Sequence, residues 1–316
     1  MKLRVLLGML ALALSLDVAA QAFPTKPVRL VSGPGPEAAA RILAAALSEA
    51  WGQQVITETL PAASGKVAAE TVARSAPDGY TLLNATSSFQ IARALGVNPV
   101  NVATDLAPVA LTNLLPFVLV VPAASEPRSV AELIARARSA PGKMNYASGG
   151  NGTLPHLAAE LFKRLSGADI VHVPYKSADQ ASLALLAGQV DMMFTSYPVV
   201  GGQVRAGKLR LLASTPARRP SGLPDAPTIA ESGLAGFDLS SWTGIFAPLA
   251  TPLAQVARLR EDVSRALRSP SLRQQYGALG FESVPEELAG ARLAQYLADD
   301  AAAWTRLVKD SGAKID

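Results

Sequence analysis

Residues Asn145–Phe162 read NYASGGNGTLPHLAAELF, and the reading of this stretch decides the fold. A short strand-like run ending at Ser148 meets three glycines within four positions, Gly149, Gly150 and Gly152. A stretch with apolar residues at helical spacing then runs from Thr153 to Leu165. A strand–turn–helix unit of this kind leaves backbone N–H groups free at a helix N-terminus, where the helix dipole also favours negative charge. The turn is therefore an anion site, for a nucleotide phosphate, a reaction intermediate or a small organic acid.

The same alternation extends in both directions. Upstream, VRLVS (28–32) reads as a strand, followed by a Gly/Pro turn and a helix from about Glu37 to Trp51. QVITET is the next strand, then a helix from about Lys66 to Arg74, and DGYTLLNAT supplies a turn and a third strand. FVLVV (117–121) is a continuous apolar run of strand length, as expected for a strand buried on both faces. Ser129 and Glu132 form a capping box opening a helix to about Ser139. Downstream come strand DIVHVP, a helix near 179–187, strand QVDMMFT, a helix near 198–206 and strand LRLLAS. SSWTGIFAP (240–248) reads as a strand that returns the chain to the first series. The tail is helical over 252–268, 270–278 and about Pro285 to Lys309, with Ser283 and Glu286 as a second capping-box candidate.

Strands alternating with helices predict an α/β fold of two lobes, each a mostly parallel sheet flanked by helices. Two crossings, near 118–124 and 238–246, join the lobes: residues 23–121 plus 243–316 form the first and 122–242 the second. Ligands of open parallel sheets bind at the carboxyl ends of the strands, so the strand-to-helix turns are the candidate site.

Lys2 and Arg4 precede the apolar run VLLGMLALALSL, and Ala20-Gln21-Ala22 follows as a small-x-small cleavage site. That layout predicts a cleaved secretory signal over residues 1–22 and a periplasmic product. Its loss would take the formal net charge from +4 to +3. Zero cysteines exclude disulfides, thiolate chemistry and a lipidated Cys anchor. Lysines and arginines are scattered, without the aromatic interleaving of a nucleic-acid surface, so no nucleic-acid partner is expected. No long amphipathic seam is visible, and a monomer is the default.

The turns exclude several chemistries. From Gly150 the pattern lacks the third glycine of a dinucleotide fingerprint, and no Gly-Lys-Ser/Thr phosphate loop is present. Tyr146 stands where a nucleophile elbow ending at Ser148 would need a glycine. His156 and His172 are the only histidines; His156 reads as a capping or packing residue of a first helical turn, and His172 as a hydrogen-bonded core residue. Neither a zinc site nor a catalytic triad assembles, so no metal, cofactor or catalytic residue is assigned. A secreted serine hydrolase using Ser148 and His156 is the remote alternative. Asp191 reads equally as a ligand-orienting carboxylate or a local cap. What remains is a cleft of Ser, Thr, Asn, Gly and backbone N–H groups, an inventory suited to reversible binding of a carboxylate.

The runs FPTKPVRLV, LSEAWGQQVITE, PDGYTLL, PGKMNYASGGNGTLPHLAAELF, VHVPYKSADQASLALLAGQVDMMF and LPDAPTIAESGLAGFDLSSWTGIFAP, in this order, resemble the receptors of tripartite tricarboxylate transporters, the TctC-type or Bug family. The resemblance covers essentially the whole chain after the signal. It implies a Venus-flytrap fold, no enzymatic activity, and capture of a di- or tricarboxylate, acidic amino acid or aromatic acid. It also implies delivery to a transporter with one large and one small integral membrane subunit; a sensor role, presenting the bound form to a signalling receptor, is the alternative. On the second lobe the family's site maps to Ser148, Gly149, Gly150, Asn151, Gly152 and Thr153, with Tyr175, Lys176 and Asp191 from its PYK and GQVDMMF motifs.

On the first lobe the pattern departs. The loop after the first strand, VSGPGPEAAAR, is shorter than the family's usual form but keeps Ser32, Gly33 and Gly35. The second loop carries Ser64 before Gly65 and Lys66 in place of the usual glycine run and Asn. The third continues from Thr86 as Ser87, Ser88, Phe89 and Gln90. These positions place Ser32, Gly33, Gly35, Ser64, Thr86, Ser87 and Ser88 at the ligand. They also suggest Phe89 and Gln90 as walls for a larger or partly aromatic acid, and Lys66 as partner for a second carboxylate.

Overall fold

The computed structural model describes residues 23–311 apart from Pro34, Pro36, Pro61, Ala289 and Ala291. The expected signal segment and the closing GAKID lie outside the described residues. Strand β1 (Val28–Ser32) pairs in parallel with β2 (Val55–Thr59) on one side and β3 (Thr81–Thr86) on the other. β3 pairs antiparallel with β9 (Ser240–Pro248), and β9 with the first part of the long strand β4 (Leu106–Pro122). From Phe117 onward β4 pairs antiparallel with β7 (Met192–Ser196) and β8 (Leu209–Ser214). β7 and then β6 (Ile170–Pro174) flank β5 (Met144–Ser148) in parallel.

Each lobe is thus parallel at its outer strands, as the alternation predicts. The antiparallel pairs gather at β4 and β9, because one strand leaves the first lobe and the other returns to it. FVLVV is only the second half of β4. The first half, LAPVALTNLLP, carries Pro108, Pro116 and Asn113 and shows no strand periodicity; register shifts against β9 at Pro108/Ala110 and Leu111/Asn113 accommodate it.

Four cores fill the layers. α1 (Glu37–Trp51), α8 (Leu253–Leu267) and α9 (Pro270–Ala278) cover one face of the first lobe over Leu30, Leu82 and Ile245. α2 (Lys66–Ala73) and α3 (Ser87–Ala94) cover the other, over Val31, Leu83 and Phe246. In the second lobe α4 (Val130–Ser139) and α5 (Leu154–Ser166) pack over Leu119, Tyr146 and Phe194. α6 (Ala178–Leu186) and α7 (Tyr197–Arg205) pack over Val118, Val120 and Met193. The last helix, α10 (Arg292–Ser311), belongs to both lobes: Leu293 and Leu297 enter the first lobe's core, while Trp304, Leu307 and Val308 enter the second's.

Two expectations differ from the structure. α3 begins at Ser87, where the sequence reads as a loop, because the polar Thr86-Ser87-Ser88 start hides the apolar Phe89, Ile91 and Ala92 that follow. The last helix starts at Arg292; Glu286–Leu288 is only a separate 3₁₀ turn, so Ser283 and Glu286 do not open it.

The shared strand fixes the spacing of the two lobes. Thr86, at the carboxyl end of β3, is opposite Thr243, which is opposite Asn113 of β4. Ser196, at the carboxyl end of β7, is opposite Phe117 of β4. The two strand ends therefore face each other across four residues of β4, about 13 Å of extended chain. Leu297, fully buried where α10 meets the first lobe, fastens the helix that straps the lobes together. Replacing it by Ala should lower unfolding free energy by roughly 2–5 kcal/mol, measured by urea denaturation.

Candidate functional site

The helices that begin at the facing strand ends share an unusual trait. α2 starts at Gly65, α3 at Thr86, α5 at Thr153 and α7 at Ser196, and at none of them does an N-cap side chain accept a first-turn amide. α4 and α9, which start elsewhere, are capped by Ser129 and Ser269 in the ordinary way; α8, behind Pro252, is uncapped outside this region. Of the helices leading out of the second lobe's facing ends, α6 alone is capped, by Ser177 accepting from the Gln180 amide. At α3, α5 and α7 no N-cap side chain takes a first-turn amide, and the positive end of each helix dipole is directed at the gap; α2 runs on directly from a 3₁₀ turn, Ala62–Gly65.

The second-lobe turn explains its own sequence. An added Cβ at Gly149 would lie 3.1 Å from the Ala178 backbone N, so the turn passes too close to the start of α6 for a side chain. Gly150 and Gly152 adopt φ of 125° and 72°, the region that favours glycine. Within the turn the Gly150 N–H donates to Ser148 Oγ at 3.1 Å, and the Gly152 N–H to His156 Nδ1 at 3.0 Å. Thr153 Oγ1 donates to the Gly150 carbonyl at 2.8 Å instead of capping α5. The first-turn amides of α5, at Leu154 and His156, are not taken by a side-chain cap; Pro155 between them has no N–H.

Beneath the turn stands a column of rings. Tyr146 and His172 are register partners on adjacent strands and stack at 4.7 Å, and His156 from α5 stacks on His172 at 4.3 Å. Ser148 Oγ lies 2.7 Å from His172 Nε2, and the Tyr146 hydroxyl donates to Glu160, which also takes Lys163. Ser148 is fully buried, so its hydroxyl braces the turn from inside. The remote hydrolase alternative would need Ser148 beside His156; Ser148 instead meets His172, the hydrogen-bonded core residue of the sequence reading, and His156 accepts from the Gly152 amide within the turn. Burial pushes the His172 imidazole down to about 4, with the nearby His156 adding to the shift, and lowers His156 as well. Both rings are therefore neutral at pH 7, and His156 Nδ1 can accept from the Gly152 amide.

On the first lobe the expected hydroxyls are also braces. Ser32 Oγ accepts from Asn84 Nδ2 at 3.2 Å, Ser87 Oγ meets Ser241 Oγ of β9 at 2.9 Å, and Thr86 Oγ1 meets Ser88 Oγ at 2.5 Å. Ser64 and Gly35 are exposed, and Ser64 has φ of 53°, a strained value for a residue with a side chain, next to Gly65 at 85°. Phe89 does not wall the gap. It is buried under the first-lobe turns, and an added Cβ at Gly33 would lie 2.5 Å from its ring. Gln90 is buried too, donating to the Leu297 carbonyl. Lys66 opens α2 with its ammonium 4.0 Å from Glu70.

Tyr175 follows β6 and its amide donates to the Ser148 carbonyl, while Lys176 beside it is exposed. Asp191 stands apart from the other expected residues. It precedes β7, at the amino end of that strand, and its carboxylate accepts from the Asn145 amide at 2.8 Å. That bond ties the feet of β5 and β7, opposite the end where the turns gather. Ser196, at the start of α7, was missed; a Ser ahead of Tyr-Pro in an early helical turn was the available signal. Among the described residues no group of His, Cys, Asp and Glu is arranged to hold a metal ion.

Two outcomes follow. Gly33→Ala should cost about 1–3 kcal/mol in denaturant unfolding, and Phe89→Leu should recover part of that loss. Between about pH 6.5 and 4 the unfolded chain binds protons that the folded His172 refuses, so stability should fall as pH falls through that window. His172→Phe, which keeps a stacked ring, should flatten this pH dependence when unfolding is compared at pH 7 and 4.5.

Comparison with known proteins agrees with this architecture. The family described as "Tripartite tricarboxylate transporter family receptor" matches residues 39–313. BugT of Bordetella pertussis is 32% identical over 308 residues, covering 94% of this chain and 93% of that protein. The solved structure of Rpa4515 from R. palustris with adipate superposes with a TM-score of 0.77 at 32% identity, over 93% of this chain and all of that one. MatC (Rpa3494) of Rhodopseudomonas palustris with bound malate gives 0.74 at 32% identity, over 90% of this chain and all of that one. The chain belongs to the TctC/Bug family of tripartite tricarboxylate transporter receptors and has the two-lobed α/β fold of periplasmic solute-binding proteins.

Proposed function

We propose that this chain is a periplasmic receptor that takes up a small carboxylate between its lobes and delivers it to an integral membrane transporter. The observation that carries the proposal is the set of uncapped helix starts, α2 and α3 on one side and α5 and α7 on the other, facing each other across β4. A carboxylate supplies the acceptors that the N-cap side chains do not, and the helix dipoles favour its charge without a dedicated cation. Two sets of donors on opposite walls suit an acid with carboxylates at both ends. The relatives with adipate and malate bound carry such acids. No helix among the described residues is long and apolar enough to cross a membrane, consistent with a receptor that visits its transporter.

In this reading the hydroxyls of Ser32, Ser87 and Ser148 hold the turns in shape, and the α5 amides of Leu154 and His156 grip one carboxylate. Gly33, Gly35, Ser64, Thr86, Ser88, Gly149, Asn151, Gly152, Tyr175 and Lys176 line the turns around it. Ligand at a hundredfold excess over Kd should add about 2.7 kcal/mol to the stability of the fold.

A thermal-shift panel of malate, succinate, adipate, citrate, glutamate and pyridine dicarboxylates tests the proposal, with calorimetry on any hit. At least one acid should raise the melting temperature, and silence across the panel would sink the reading. Thr153→Asp sharpens the test. An aspartate there can cap α5 itself, worth about 0.5–1 kcal/mol in stability, while its charge occupies the anion position. It gives up the Thr153 Oγ1 bond to the Gly150 carbonyl, which offsets the cap, so the variant should melt near the parent yet lose the acid's shift.

A further inference from the structure

A cavity of about 770 Å³, whose lining shares no residue with the turns described above, lies between the two lobes. Pro116 of β4, Leu161 of α5, Leu239 ahead of β9, and Tyr296, Trp304 and Leu307 of α10 give it an apolar and aromatic part, while Arg164, Arg218, Arg219, Arg306, Asp238, Glu282 and Asp299 add charge to its lining. One carboxylate is set within the aromatic part. Asp300 sits on α10 between two indoles, accepting from Trp242 Nε1 at 2.9 Å and from Trp304 Nε1 at 3.1 Å. Each carboxylate oxygen thus has one donor and a further acceptor position open. Among the described residues no cation pairs with it; of the four arginines on the cavity lining, Arg164 pairs with Asp310 and Arg219 with Glu231, Arg218 has a partner of its own, and Arg306 completes the set.

A buried carboxylate without a cation is costly to keep charged. Burial pushes Asp300 up to about 7, against the two indole N–H groups that hold it down. Tyr296 beside it is pushed up by burial and then by the charges of Asp300 and Asp238, so two carboxylates face one end of the cavity. The partners that hold Asp300 are neutral indole donors, and Tyr296 and Trp304, which line the same cavity, are aromatic residues of the kind on which ammonium ions sit.

We infer that this hinge cavity is a second ligand site, for an organic ammonium ion on an apolar body, with Asp300 as the partner of the ammonium and Tyr296, Trp304 and Leu307 as walls for the body. The site is separate from the gap at the strand carboxyl ends, and its walls come from both lobes and from α10. It does not rest on the carboxylate-uptake reading.

Calorimetry and thermal shift at pH 8 with 2-phenylethylammonium test it, with 3-phenylpropionate and 2-phenylethanol as anionic and neutral comparators. The ammonium should bind and stabilise, each comparator should bind at least tenfold more weakly, and Asp300→Asn should weaken the ammonium by tenfold or more. The unliganded Asp300→Asn variant should still fold: it loses a buried charge and keeps an acceptor for one indole, but its amide nitrogen cannot accept from the other, so a modest fall in melting temperature is expected. Ala303→Trp, at an exposed position of α10 on the cavity wall, should block the ammonium with Asp300 intact. No heat and no shift with the ammonium at millimolar concentration would overturn the inference. So would equal or tighter binding of the carboxylate, which would assign the cavity to its rim arginines, or binding that survives both substitutions.

Discussion

The structure depends on one strand serving two lobes. β4 carries the first lobe's edge on its early residues and the second lobe's edge on its later ones, with no loop between. Backbone hydrogen bonding then dictates where every other strand ends. β3 and β7 must stop facing each other across a few residues of β4, and each parallel neighbour follows suit. α10 adds a second tie, with one end in each core, so the lobes are joined by paired strands on one side and a packed helix on the other.

Into that gap the chain directs helix starts that side chains leave uncapped. The hydroxyls nearby are occupied in bracing: Ser32 with Asn84, Ser87 with Ser241, Ser148 with His172. This division of labour makes physical sense for a site that has to favour an anion and release it again. Backbone amides on rigid elements are fixed in place by the fold, and neutral donors avoid the strong desolvation of a buried ion pair. The stacked Tyr146, His172 and His156 rings give the second-lobe turn a rigid floor. Its two imidazoles stay uncharged in the fold, so the stability of this floor declines as pH falls from about 6.5 towards 4.

Much of this was legible in the sequence where local chemistry and global fold agree. β5, the glycine turn and α5 could be read from NYASGGNGTLPHLAAELF because strand period, glycine and helix period change at the right places. The capping box at Ser129 held for the same reason: its two residues answer each other within one turn, and Ser129 does accept from the Glu132 amide. The first half of β4 was hidden because its pairing with β9 comes from residues far away and overrides two prolines and an asparagine. α3 was hidden behind three polar residues, and with it the true position of Phe89, which fills space under Gly33 and Gly65 instead of facing a ligand. Asp191 shows the limit of motif transfer. Its motif fixes its identity and its place before β7, but only the register with β5 reveals that it stands at the opposite end of the strand from the turns.

The most direct test of the central claim is to follow backbone amide resonances while a dicarboxylate such as adipate is titrated into the protein. A carboxylate gripped by the start of α5 should move the amide protons of Leu154 and His156 strongly downfield, as new charge-assisted hydrogen bonds form there. Saturable binding that leaves those two amides unmoved while others shift would contradict the account.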